Sequence, residues 1–115
     1  MKNKLILLIC SFIISVSATA QEGKKTETFK VFGNCDMCKE NIEGSLKKKD
    51  GVISKKWDVK AKTLTVTYNV AKINLQQIGQ KVADAGYDND YATSTDEKYK
   101  KLHKCCQYQR PDKKQ

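Results

Sequence analysis

Val31-Phe32-Gly33-Asn34-Cys35-Asp36-Met37-Cys38 decides how this chain is read, because the hydrophobic period changes across it. Before it, residues 26–32 alternate, with Phe29 and Val31 on one face, as a half-buried strand does. Gly33-Asn34 breaks that strand. After it, Cys38, Ile42, Ser45 and Leu46 share one helical stripe with lysines and Glu40 outside, which predicts a helix from 37 or 38 to about 49. Cys35 and Cys38 therefore stand where a strand hands over to a helix. The partial positive charge of a helix N-terminus favours a thiolate there, and Lys39 is placed to add to it. Two such thiolates can face one ion from both sides, an arrangement suited to soft, low-coordinate ions such as Cu(I) or Hg(II). Zn(II) would want two further ligands.

Outward from this junction the elements follow quickly. Asp50-Gly51 stops the helix, with Gly51 suited to the left-handed position after its end. Residues 52–59 read as a second strand around Trp57, and 60–62 as a turn. Residues 63–68 form the clearest strand, with Leu64, Val66 and Tyr68 inward and Thr63, Thr65 and Thr67 outward. Asn74 caps a second helix over 75–85, where Leu75, Ile78, Val82 and Ala85 recur at helical spacing, and Gly86 ends it. Residues 91–93 are the candidate fourth strand. The order β-α-β-β-α-β predicts an α+β sandwich: a four-stranded antiparallel sheet with both helices on one face. Ser94-x-x-Glu97 has capping-box spacing, so a short C-terminal helix over 96–104 is expected before Cys105, with a loose end from Gln107.

With those residues in place the chain resembles the heavy-metal-associated domain family. The similarity runs through the loop at 31–38, Gly51-Val52 after the first helix, the strand at 63–68, and Ala85-Gly86-Tyr87 after the second helix. The resemblance implies a ferredoxin-like fold, with Cys35 and Cys38 binding a metal ion and handing it on. It also implies that Tyr87 packs beside the metal loop. That family includes copper chaperones, N-terminal domains of metal-exporting P-type ATPases and periplasmic mercury-binding proteins. The usual loop carries Gly-Met-Thr before its first cysteine; here Gly33-Asn34 is one residue shorter and Met37 lies between the cysteines. Met37 is either a thioether ligand or a flexible cover for apolar surface, and Asp36 either a hard oxygen ligand or a solvent-facing carboxylate.

The remaining features concern compartment and partners. Residues 1–20 read as a secretory leader: Lys2 and Lys4, an apolar run over 5–16, then Ser17-Ala18-Thr19-Ala20 as the cleavage site. The run is shorter than the roughly 20 residues of a membrane span. Export, to a periplasm, is the expectation, with no stable membrane insertion. The domain then covers 21–93 and an extension 94–115. Of 22 basic residues, 20 remain without Lys2 and Lys4, against 13 acidic ones. Export argues against nucleic acid as the partner of that charge, leaving a solvated lysine-rich surface or an acidic protein. Four of the five cysteines lie beyond the leader. An even count in an oxidising compartment suggests disulfides, but C-x-x-C and C-C close rings too small to remove much chain entropy. Cys105 and Cys106, with His103 before them, are candidates for a second metal site, a lid on the first, or a redox pair.

The functional expectation is a non-enzymatic metallochaperone or scavenger for a soft ion, Cu(I) favoured, with Hg(II) or Zn(II) as alternatives. Its partner would be a metal donor or acceptor such as a metal-transporting P-type ATPase or an efflux system, the carrier itself being a monomer or a metal-bridged dimer. Met37, Lys39 and Tyr87 would surround the ligands. The rival is a thiol–disulfide oxidoreductase using the same two cysteines, against which stand the strand order and the absence of any proline within the domain. A basic structural domain with oxidised cysteines is the third reading.

Overall fold

A computed structural model describes residues 23–111. The expected leader and the last four residues lie outside them. The elements are β1 (Lys24–Lys30), α1 (Asp36–Gly44), β2 (Val52–Asp58), β3 (Thr63–Asn69), α2 (Leu75–Asp84) and α3 (Asp96–Lys100). Single 3-10 turns occupy Lys48–Asp50 and Lys104–Cys106. The sheet is antiparallel in the order β1-β3-β2, with Leu64 of β3 opposite both Phe29 and Trp57.

The core follows the period of each element. Phe29, Leu64, Val66 and Tyr68 point to one face and are buried, together with Ile42 of α1, Leu46 just after it, and Ile78 and Val82 of α2. Val52 and Trp57 are both buried although an odd separation should set them on opposite faces. A register shift between Val52 and Ser54 resets the alternation and turns Ile53 outward. On the open face Thr26 pairs with Thr67 and Thr28 with Thr65, hydroxyl to hydroxyl, at 2.8 and 2.9 Å.

The first helix and the fourth strand depart from the pattern-based expectation. The first helix stops at Gly44 rather than near 49, and Leu46 reaches the core from an extended turn before the 3-10 segment. Gly51 then takes φ +109°, the left-handed conformation expected of it. The fourth strand is not formed, so among the described residues the sheet has three strands, not four. Its place beside β1 is taken one turn earlier, by a single bridge between Val31 and Asn89. Phe32 N–H donates to the Asp88 carbonyl at 3.0 Å and Asp90 N–H to the Lys30 carbonyl at 3.2 Å. The ladder ends there because the Asn89 side chain folds 89–92 into a turn. Its Oδ1 accepts from Tyr91 and Ala92 N–H, and its Nδ2 donates to the Gly79 and Tyr87 carbonyls.

The C-terminal segment departs furthest. α3 covers five residues, and its cap is Thr95, whose Oγ1 accepts from Lys98 N–H, rather than Ser94, which is buried. Residues 107–111 are not a loose end. Tyr108 is 2% exposed; its hydroxyl donates to the Gly86 carbonyl and accepts from Asp88 N–H, both at 2.8 Å. Its ring stacks on Tyr87 and meets the edge of Tyr99. Arg110 grips Asp88 with two nitrogens at 2.8 and 2.9 Å and also reaches Asp96 at 2.7 Å. Burial raises the Asp88 pKa, but hydrogen bonds from Arg110 and Ser94 N–H outweigh it and leave the carboxyl below its usual range.

Removing Arg110 leaves that carboxylate buried without its charged partner, with Ser94 N–H left of those two donors, so Arg110→Ala should cost about 3 kcal/mol in denaturant unfolding at neutral pH. A carboxylate whose folded pKa is depressed contributes stability above its unfolded value of about 3.9 and loses it as pH falls through the folded value. The gap between parent and variant should therefore shrink below about pH 4; an equal gap at pH 3 and pH 7 would refute the ion-pair account.

Candidate metal centre

The loop between β1 and α1 is held from below by Trp57. Its indole Nε1 donates to the Val31 carbonyl at 3.0 Å, and its ring lies directly under Gly33. A Cβ at Gly33 would come within 2.9 Å of that ring and 3.3 Å of the Cys38 Cβ, so only glycine permits this approach. Trp57 is fully buried and supports a loop that has no methionine just before Cys35.

Cys35 is the residue preceding α1, with extended backbone, and Cys38 lies in the first turn. Their sulfurs are 3.7 Å apart, Cys38 fully buried and Cys35 partly exposed. Asn34 N–H donates to the Cys38 sulfur at 3.3 Å. The Cys35 side chain makes no formal capping hydrogen bond, yet the first-turn N–H groups act on it. The Cys38 backbone, most of all, holds the Cys35 thiol below its ordinary pKa; slight burial opposes this, and the Met37 backbone with the Cys38 and Cys105 side chains assists. Lys39 is engaged elsewhere. Its ammonium meets Glu43 at 2.6 Å and the Trp57 carbonyl at 3.2 Å, while Glu43 accepts from Trp57 N–H, so this lysine ties α1 to β2.

The C-terminal cysteines arrive at the same place. The Cys35 sulfur is 3.9 Å from that of Cys105, and the sulfurs of Cys35, Cys105 and Cys106 all lie within 4.8 Å of one another. The Cys105 sulfur is 3.9 Å from the Met37 thioether, and Met37 is otherwise 40% exposed. Asn34 Nδ2 donates to the Cys105 carbonyl at 3.2 Å, joining the loop to the tail. Cys106 is fully buried, and burial above all pushes its thiol up to about 12, with the neighbouring Cys38 adding to the rise. Tyr87 is buried beside it. Its hydroxyl accepts from Asn41 Nδ2 at 2.9 Å, and burial raises its pKa above the ordinary phenol value.

The structure thus gathers Cys35, Cys38, Cys105, Cys106 and Met37, with Tyr87 packed alongside. His103 starts the 3-10 turn, is exposed, and is outside the sulfur group. Asp36 is exposed. Sequence patterning missed Asn34, Asn41, Tyr108 and Arg110. One signal was available: Cys106, Tyr108 and Arg110 alternate, as an extended strap with one buried face would.

Known proteins resemble the part of the chain that carries Cys35 and Cys38. The profile of the heavy-metal-associated domain matches residues 28–88, more than half of the chain. A copper chaperone, CopZ, of Staphylococcus saprophyticus is 34% identical over 64 residues, 55% of this chain and 94% of its own length. The crystal structure of oxidized MerP from Ralstonia metallidurans superposes with a TM-score of 0.55 at 28% identity, covering 58% of this chain and 94% of that one. The Cu(I)-loaded N-terminal domain of a potential copper-translocating P-type ATPase from Bacillus subtilis gives 0.55 at 26% identity, covering 64% and 92%.

The four thiols should differ sharply in reactivity. In the reduced, metal-free protein, alkylation followed by mass spectrometry should modify Cys35 first, with a half-maximal pH below the ordinary thiol value. Cys106 should remain unmodified at neutral pH. Equal labelling of both at pH 7 would contradict the burial and helix-end effects described.

Proposed function

We propose, from the premise that this chain belongs to the heavy-metal-associated domain family, that it is an exported carrier of a soft metal ion, Cu(I) in the first place. Cys35 and Cys38 are its primary ligands. The observation that carries this reading is the pair of sulfurs 3.7 Å apart at the start of α1, one of them a thiol whose pKa the helix end lowers. Two thiols surrender their protons to bind the ion, and a helix end that favours the anionic sulfur lowers the cost of that step.

Transfer is by ligand exchange. A thiolate of the partner attacks the ion, a three-sulfur intermediate forms, and Cys35, more exposed than Cys38, departs before it. Donor or acceptor is a metal-transporting P-type ATPase or an efflux component, and the lysine-rich surface orients an acidic partner face more than it tightens binding. Export follows from the basic, apolar and small-residue order of positions 1–20. Thiol–disulfide exchange is the second reading, favoured by the same lowered Cys35 pKa.

Anaerobic titration of the reduced protein, lacking 1–20, with Cu(I) against a competing chelator separates these. One ion per chain should be bound tightly and lost in Cys35→Ser/Cys38→Ser. A parent that binds Cu(I), Hg(II) and Zn(II) no better than the variant, yet turns over a disulfide substrate, would replace the carrier with an oxidoreductase.

A further inference from the structure

Cys105 and Cys106 belong to no part of the matched domain, which ends at residue 88. We propose that the segment 94–111 is a clasp that supplies both as ligands, so that an ion entering at Cys35 and Cys38 is enclosed by four thiolates. This deepens the carrier reading and rests on it.

Distances argue for it first. With a metal–sulfur bond of about 2.3 Å, sulfurs lie about 3.8 Å apart around a tetrahedral ion, about 4.0 Å around a trigonal one and about 4.6 Å across a linear one. The sulfur of Cys35 is 3.7 Å from that of Cys38 and 3.9 Å from that of Cys105. These spacings suit three or four thiolates around one ion and are too short for a linear pair. The sulfurs that all lie within 4.8 Å of one another are those of Cys35, Cys105 and Cys106, and Cys38 joins them through Cys35. Four thiolates therefore close on one ion by a further inward shift of Cys38 and Cys106. Cys106 also touches the Asn41 amide at 3.9 Å, from which it receives a weak hydrogen bond.

The second argument is that nothing about the clasp needs an ion to form. Tyr108 and Arg110 lock it to Gly86 and Asp88, Tyr99 donates to the Tyr108 carbonyl at 2.6 Å, and Asn34 holds the Cys105 carbonyl. The thiols are delivered by hydrogen bonds that do not involve the sulfurs, so the site is preorganised. Adjacent residues on a 3-10 turn bring one exposed and one buried sulfur, Cys105 and Cys106, up to Cys35.

Four thiolates change what the site holds. They match divalent thiophilic ions with tetrahedral preference, Cd(II) and Zn(II), as well as Cu(I) in trigonal form. They also oppose release, because an incoming thiolate must first displace the clasp. The protein is then a retaining carrier, which gives up its ion to a partner able to lift residues 104–106.

Cd(II) titration of the reduced protein tests this, since the sulfur-to-metal charge-transfer absorbance grows with the number of thiolates bound. Relative to the parent, Cys105→Ser should lose about a quarter of that absorbance and Cys105→Ser/Cys106→Ser about half, following the count of four thiolates. Cd(II) affinity of the double variant should fall by at least about ten-fold. Cys105 is exposed, so its single variant reports on ligation without disturbing the core; circular dichroism checks the double variant. Parent-like absorbance and affinity in both variants would overturn the clasp while leaving the carrier intact. Parent-like binding in Cys35→Ser/Cys38→Ser would instead overturn the carrier reading itself.

Discussion

The buried carboxylate of Asp88 is the point on which the arrangement depends. Its two oxygens receive Arg110, Ser94 N–H lies 2.7 Å from one of them, its own N–H goes to Tyr108, and its carbonyl accepts from Phe32 at the exit of β1. One residue therefore fastens the strand that leads into the cysteine loop, the turn after α2, and the C-terminal segment. An ionised carboxylate is tolerated in such a place only when it is paired and hydrogen-bonded on every side. The three segments are consequently obliged to meet, and the position of Cys105 and Cys106 is inherited from that obligation.

Above this hub lies a column of aromatic rings. Tyr108 stacks against Tyr87 at 5.7 Å and Phe32 at 6.4 Å, with Tyr99 edge-on at 5.0 Å. Trp57 supports the loop from the other side. The sulfurs rest on a floor that is apolar and closely packed, which raises the cost of an uncompensated thiolate at Cys106 while the helix end lowers it at Cys35. The cluster thus contains one sulfur whose anionic form the helix end favours and one whose neutral form burial favours. Such a gradient suits capture at an open edge followed by enclosure.

Much of the frame was legible in the order of residues. Period two in 63–68 and period 3.6 in 75–85 arise because one face of each element must be buried, and both were recovered nearly residue for residue. The Asn74 cap, joined by Gln77 in a full capping box, and the left-handed Gly51 follow from local chemistry alone. The fourth strand failed for a different reason. Residues 91–93 have a strand-like composition, but the Asn89 amide makes four bonds that curl the chain before a ladder can extend. Competition between a side chain and a partner strand is settled by what lies nearby in space.

The sequence by itself determined the strand–loop–helix junction, the pairing of Cys35 with Cys38, and the helix and strand faces, because each depends on neighbours within a few residues. It also marked Cys105 and Cys106 as chemically unusual without saying where they go. Only the tertiary structure decided that the tail is packed through residue 111, that Lys39 serves Glu43 and not a thiolate, and that His103 stays apart from the sulfurs. The physical reason is sequence distance. Cys35 and Cys105 are seventy positions apart and meet within 3.9 Å. Their meeting is enforced by Tyr108 and Arg110 reaching partners of their own some twenty residues back, a long-range pairing that no local period encodes.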